Sequence, residues 1–175
     1  SAHPFRGLKR DAYEGGHHVP FMIKYPGVTL AGTVNDALVS QIDIMATLAS
    51  VVGYDLPDKN AAEDSHDLLP LLKGEVKSIR TSHIHNTFDH TWAFREGDWV
   101  LITGKSGHHS RVTKEWLKKH DYPKTESKQA RLFNLREDIG QRNDLAAKHP
   151  EKVRSMKASL AQIREQGYSA PRLRK

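Results

Sequence analysis

Apolar positions recur along this chain in two rhythms. Between Asp36 and Val52, Leu38, Ile42, Met45, Ala49 and Val52 stand four, three, four and three residues apart, with Ile44, Leu48 and Val51 widening the stripe. That spacing predicts an amphipathic helix. Asn35 is placed to cap its start and Gly53 to end it. The rhythm returns near the end of the chain, where Val153, Met156, Leu160 and Ile163 form a second stripe. Pro150 suits the first turn of that helix, Glu151 sits near its positive dipole end, and Gly167 stops it.

The other rhythm is short. Val19 to Tyr25 ("VPFMIKY") predicts a buried strand ended by Pro26-Gly27, and Ser82 to Thr87 a second strand. "WAFREGDWVLI", Trp92 to Ile102, predicts a hairpin turning around Glu96-Gly97-Asp98, and "RLFNL", Arg131 to Leu135, a further strand. His66 to Gly74 ("HDLLPLLKG") predicts a short apolar turn or helix. Pro57 to Asp64 reads as polar loop and Lys105 to Ala130 as an irregular basic excursion. No internal repeat is present.

The predicted fold is α/β in two parts, divided near residue 76. Residues 1–76 read as a strand followed by a helix, the grammar of an α/β sheet. One strand and one long helix cannot cover both faces of such a layer, so this part reads as the edge of a larger sheet. Residues 77–175 read as a small antiparallel sheet packed on one helix.

Composition changes the picture little. With 37% hydrophobic and 27% charged residues the chain is of globular type, and no apolar run nears the ~20 residues of a membrane helix. Cysteine is absent, which excludes disulfides, thiolate zinc sites and a cysteine nucleophile among these residues. Charge is uneven: 9 Lys/Arg against 13 Asp/Glu up to Gly104, then 18 against 8. A basic second half fits either a solvated surface or a polyanion partner. No RNP, homeodomain, zinc-finger or KH pattern points to nucleic acid.

Local chemistry offers few candidates. Lys9 stands between Arg6 and Arg10 on a glycine-bearing loop, where it is either a plain exposed lysine or a compact cation for a tetrahedral anion. His83 and His85 alternate on one strand face, with Asp89 and His90 behind. His-x-His can ligate zinc, but no third ligand stands at a recognisable spacing, so a histidine bonding a ligand or a nearby loop is the better reading. The pairs His17-His18 and His108-His109 point to opposite faces if extended, which argues against shared ligation. Asp43, inside the first helix, suits a neighbouring loop better than chemistry. Trp92 and Trp99 suit core packing, or a platform for a sugar. No Gly-x-Ser-x-Gly elbow, P-loop or Gly-x-Gly-x-x-Gly occurs.

Five segments in order carry a resemblance. "RGLKRDAYEGGHHVPFMIKYPG" resembles the Arg-Gly-x-Lys-x-x-x-x-Glu-Gly-Gly-x-Arg-Val-Pro stretch of the type I, formylglycine-dependent sulfatases, arylsulfatase-like members of the alkaline phosphatase-like superfamily. "AGTVNDALVSQIDIMATLASVVGYDLP", "DSHDLLPLLKGE", "WAFREGDWVLI" and "LFNLREDIGQRNDLAAKHPEKV" are similar to the family's following helix, its Leu-Leu-Pro-Leu-Leu loop, its Gly-Asp-Trp hairpin and its final segment.

The resemblance implies the C-terminal portion of a sulfatase. Residues 1–76 become the C-terminal edge of its catalytic domain and residues 77–175 its small C-terminal subdomain. It implies hydrolysis of a sulfate ester on a carbohydrate or aryl group, with formylglycine as nucleophile and calcium as metal. Neither a Cys-x-Pro-x-Arg nor a Ser-x-Pro-x-Arg motif is present, so both are expected from a missing N-terminal part of the same protein, and no metal ligand is assigned here. Lys9 matches the family's sulfate-contacting lysine and is the catalytic and substrate-binding candidate. His85 is a second substrate-binding candidate, and Glu14-Gly15-Gly16 match a structural turn. His18 stands where the family has Arg and Gln141 where it has Glu. Expected partners are a sulfated small molecule or polysaccharide, with no nucleic acid and no membrane, and the expected location is periplasmic or secreted. This polypeptide alone is expected to be inactive. A phosphodiesterase or phosphonate hydrolase of the same superfamily, or a non-catalytic polyanion-binding module, are the alternatives.

Overall fold

A computed structural model describes residues 3–57, 61–87, 90–106, 113–120 and 128–171. In chain order the elements are α1 (Glu14–His17), α2 (Asp43–Val52), α3 (Leu69–Leu72), β1 (Ser82–Asn86), β2 (Trp92–Glu96), β3 (Trp99–Ile102), α4 (Lys114–Lys119), β4 (Arg131–Asn134) and α5 (Pro150–Gln166). They fall into two compact units, one of Ser1–Pro20 with Ile84–Leu160 and the other of Phe21–His83 with Ala161–Lys175.

The first unit is built on the four-stranded sheet, ordered β1-β2-β3-β4. Ala93 pairs with Ile102 and Arg95 with Val100 across the antiparallel β2/β3 hairpin, while Val100 pairs with Phe133 and Ile102 with Arg131 across β3/β4. Because side chains alternate along a strand, Ala93, Arg95, Val100, Ile102, Arg131 and Phe133 share one face. Ala12 and Tyr13 from the opening loop complete the apolar core on that face. The opposite face carries Glu96, whose carboxylate takes a 2.6 Å bond from Lys152 Nζ, and Trp99, whose ring meets His149 edge-on at 5.3 Å. The first turns of α5 therefore cover it, and Met156 and Leu160 are fully or nearly fully buried.

The hairpin, β1, β4 and α5 match the sequence pattern. Glu96 faces Trp99, leaving Gly97-Asp98 as a two-residue loop with Gly97 at φ 57°, the left-handed value such turns favour. One addition falls within the basic excursion: α4, whose start is capped by Thr113 Oγ1 accepting from the Trp116 amide at 3.2 Å.

The second unit departs further from the pattern. Val19 to Tyr25 forms no strand, and Phe21 and Met22 are exposed. A strand is stabilised by pairing with a neighbour, and no strand among the described residues pairs with this segment. Helix α2 begins at Asp43, seven residues later than its apolar spacing predicts. Asn35 Oδ1 accepts the Ala37 amide (2.8 Å) and Asp43 Oδ2 accepts the Ser40 amide (2.7 Å). These local bonds satisfy the backbone in turns rather than in helix. Gly53 ends α2 at φ 69°, in the left-handed conformation expected of a glycine stop.

Asp43 itself is fully buried. Its carboxylate forms an ion pair with the buried Arg80 guanidinium and accepts the His66 amide at 3.0 Å. Thr47 Oγ1 donates to Asp43 O and accepts the Leu68 amide. This polar knot ties α2 to the segment leading into α3.

Candidate functional site

The loop from Phe5 to His18 is where the sequence placed its strongest candidate, and its geometry begins with a tight turn. The Asp11 amide donates to Leu8 O (2.9 Å), and Asp11 Oδ2 accepts the Leu8 amide (2.7 Å). Lys9 and Arg10 are therefore the two central residues, and Arg10 stands at φ 82°. That is the value found at the third position of a type II turn, where glycine is usual. Lys9 is exposed at the tip.

Everything behind the tip is fixed. The Ala12 amide donates to Ser106 Oγ (2.6 Å), and His85 Nε2 lies 3.1 Å from Ala12 O. A carbonyl can only accept, so that nitrogen carries the proton. The Glu14 amide donates to Gln141 Oε1 (2.8 Å), and Arg6 Nη1 donates to Gln141 O (2.9 Å). Tyr13 is buried between two guanidiniums: Arg6 lies over its ring at 4.0 Å, and Arg131 donates to its hydroxyl. The Gly15-Gly16 pair is a packing requirement. A Cβ on Gly15 would lie 2.6 Å from Gly7 O, and one on Gly16 2.1 Å from Asp11 O. Side chains at these positions would push the loop apart.

Glu14 is a buried carboxylate with three basic side chains around it. His17 Nε2 lies 3.7 Å away, His18 Nδ1 3.4 Å and Arg95 Nη1 3.6 Å. Burial pulls its pKa up, but the His18 hydrogen bond and the charges of His17, Arg95 and His18 outweigh this and hold it below the usual carboxylate value. His17 and His18 thus lie at the end of a helical turn, α1, with both rings reaching one carboxylate, rather than diverging as an extended chain would place them. Arg95 approaches the same carboxylate from β2. His85 packs its ring against His17, with centroids 3.7 Å apart. Burial pushes its pKa down, against the opposing pull of Ala12 O and Glu14.

The fold therefore brings Lys9 and His85 to one loop, Lys9 at its tip and His85 against Ala12 O and the His17 ring. His83 instead accepts from Arg80 Nη1 at 3.3 Å. His108, His109 and Asp89 lie outside the described residues. Among the described residues no three His, Cys, Asp or Glu side chains stand close enough to hold a metal ion, so no step through a metal is derived from them. Sequence reasoning missed Arg95, Thr87, Ser106 and Gln141 as supports of the loop. Only Arg95 carried a signal, being a cation two residues from Ala93 on the core-facing side of a strand.

Compared with known proteins, residues 7–166 match the family described as N-sulphoglucosamine sulphohydrolase, C-terminal. The chain belongs to that sulfatase family. It is 30% identical over 160 residues to an N-acetylgalactosamine-6-O-sulfatase of Bacteroides thetaiotaomicron, covering 91% of this chain and 30% of that one. It is also 32% identical over 143 residues to arylsulfatase A of Bos taurus, covering 78% and 28%. A solved sulfatase structure from work on glycosaminoglycan metabolism by Bacteroides thetaiotaomicron superposes with a TM-score of 0.72 at 29% identity, over 91% of this chain and 32% of that one. A protein solved with k-i-k-neocarrahexaose shares the fold, with a TM-score of 0.67 at 17% identity. The chain thus spans about a third of the length of these relatives. The α/β architecture expected from the sulfatase resemblance is that of its relatives.

Proposed function

We propose that the intact protein hydrolyses a sulfate ester on a carbohydrate, and that this segment contributes its sulfate clamp. The observation that carries the reading is the contrast within one loop. Lys9 projects into solvent at the tip, between the exposed Leu8 and Arg10, while the backbone on its C-terminal side is anchored through Ser106 and Gln141. A fixed cation aimed outward suits binding of sulfate oxygens and offsets negative charge that grows on them during sulfur–oxygen cleavage. A lysine serves as a compact point charge there. In the same reading His85, beside the loop, contacts substrate.

Formylglycine would supply the nucleophile and calcium the Lewis acid, both from the part of the enzyme that precedes these residues in its relatives. Residues 1–76 then form the edge of the catalytic α/β domain and residues 77–175 the C-terminal subdomain. The apolar side chains exposed between Phe21 and Tyr54 pack against the remainder of that domain. N-acetylgalactosamine-6-O-sulfatase and glycosaminoglycan metabolism among the relatives favour a sulfated polysaccharide or its fragments. Such a substrate is met outside the cytoplasm, which suits a periplasmic or secreted enzyme. No helix among the described residues is long and apolar enough to cross a membrane. The segment on its own is inactive in this reading.

The test is Lys9→Ala in the intact enzyme, assayed on p-nitrophenyl sulfate and on a sulfated disaccharide. Turnover falls by about 10²–10³-fold with the melting temperature unchanged, a loss of the size seen when one preorganised donor is removed. Unchanged turnover would sink the assignment of Lys9. Faster cleavage of a phosphate diester than of either sulfate would move the enzyme to phosphoryl transfer.

A further inference from the structure

The geometry points to Thr87 as a positioning residue for Lys9, a role that rests on the sulfate-clamp reading for its catalytic consequence but not for its structural one. Arg10 follows Lys9 directly and holds φ 82°. An L-residue with a Cβ is unfavourable there, because the Cβ crowds the backbone. Such a conformation persists only where surrounding contacts fix it. Beside the Asp11–Leu8 bonds that close the turn, Thr87 supplies such a contact, its Oγ1 donating to Arg10 O.

Thr87 is well placed to hold a strained carbonyl. It immediately follows β1, and its amide donates to Thr91 O at 2.9 Å. Thr91 is buried, and its own hydroxyl donates to Lys105 O at 2.8 Å. The clamp therefore stands on a bonded frame. It also continues a pattern, since His85 holds Ala12 O while Thr87 holds Arg10 O. Positions 85 and 87 lie two apart on β1 and just beyond it, and positions 12 and 10 lie two apart on the loop. The loop thus runs antiparallel to β1, with side chains in place of the usual backbone ladder. A backbone ladder would draw the loop closer to the strand. Side-chain rungs keep it at a distance and leave the turn at Lys9 free to project. Thr87 is the rung nearest that turn, so it sets the direction in which Lys9 points.

The experiment compares Thr87→Val, Thr87→Ser and Arg10→Gly, alone and combined, in the intact enzyme. Valine removes the hydroxyl at nearly constant shape, and serine restores it. Two readouts are taken: kcat and KM for an aryl sulfate, and the rate of trypsin cleavage after Lys9 in the folded protein. Thr87→Val is expected to lower kcat by about 10–100-fold with a smaller change in KM, the cost of a misplaced group, and to speed cleavage after Lys9. Thr87→Ser should stay near wild type on both. In the Arg10→Gly background the effect of Thr87→Val should shrink to a small part of that, because glycine holds this conformation without a clamp.

Wild-type kcat and trypsin resistance in Thr87→Val would overturn the proposal. So would a defect that serine does not rescue, or one that Arg10→Gly leaves undiminished. The two readings separate cleanly. If the trypsin results hold while Lys9→Ala leaves kcat intact, Thr87 still sets the turn, and the sulfate role of Lys9 falls.

Discussion

The two units of this protein are held together in opposite ways. Among the described residues, the sheet unit contains 12 of the 16 buried hydrophobic side chains, whereas the helical unit contains 13 of the 17 exposed large ones. The sheet unit is thus stabilised by a conventional apolar core. The helical unit is organised around a buried ion pair, Asp43 with Arg80, and exposes Ile42, Met45 and Val52 of its apolar stripe while burying Ala49. The lesson is that one spacing of apolar residues can mean two things. In α5, Met156 and Leu160 are buried, as the spacing predicts. In α2, Met45 and Val52 of the stripe are exposed while Asp43 and Thr47, off the stripe, are buried.

The sharpest way to break this contrast is to remove Asp43. Asp43→Ala leaves the Arg80 guanidinium buried without its carboxylate and strips acceptors from the Ser40 and His66 amides. The expected loss is about 3–5 kcal/mol, as for other buried pairs broken on one side. All three tryptophans lie in the sheet unit, so their fluorescence should report less change than hydrogen exchange at residues 43–52. Equal loss on both probes would show that the two units unfold as one.

A smaller effect is expected from Gly16→Ala in the sheet unit. The new methyl would meet Asp11 O at 2.1 Å, and backbone cannot yield as a side chain tip does. Overpacking of this kind costs about 1–3 kcal/mol. Here the tryptophan signal should move and exchange in α2 should not, reversing the Asp43 result. A neutral Gly16→Ala would mean that the loop shifts freely, and that Lys9 is not held where the geometry puts it.

Each unit also carries a histidine whose pKa is lowered mainly by burial, His85 in one and His66 in the other, with the Arg80 charge adding to the effect at His66. For a histidine lowered on folding, the neutral form is the one the fold prefers. Its contribution is fully present above the ordinary value of 6.5 and is lost as pH falls from there through the folded value. Glu14, whose pKa is also lowered, adds a second loss below 4.5. Stability measured from pH 8 down to pH 5 should therefore decline. His85→Gln, which keeps a donor for Ala12 O, should flatten the part seen by tryptophan fluorescence. An unchanged slope would remove His85 as its source.

How much of this was legible in the sequence follows from range. The hairpin, α3, α5 and the stop at Gly53 are set by residues a few positions apart, and their patterns could be read directly. The start of α2 was misplaced because two local turns, at Asn35 and Asp43, outcompete seven residues of helix. Val19 to Tyr25 has the composition of a strand, but composition cannot supply the neighbour that a strand needs. At the site, Lys9 and Glu14-Gly15-Gly16 stood out as a motif. Their supports did not: Ser106, Gln141 and Thr87 are ordinary polar residues whose partners lie 94, 127 and 77 positions away. Nothing local distinguishes such residues from solvated ones.

The smallest expected effect bears most directly on what the exposed stripe is for. Leu48 lies in α2 with 58% of its surface exposed. In this 175-residue polypeptide, Leu48→Ala removes little buried area and places a good helix former in a helix, so stability should change by no more than about 0.5 kcal/mol. In the intact enzyme the same substitution should cost about 2–5 kcal/mol, the range for a leucine truncated inside a packed core. The difference between the two measurements reads how far the stripe is covered by the larger domain proposed around residues 1–76. A large cost in the short polypeptide would mean that α2 already packs on something there. A negligible cost in both would mean that the stripe stays open to solvent in the whole enzyme, and the assignment of residues 1–76 to the edge of a larger domain would have to be given up.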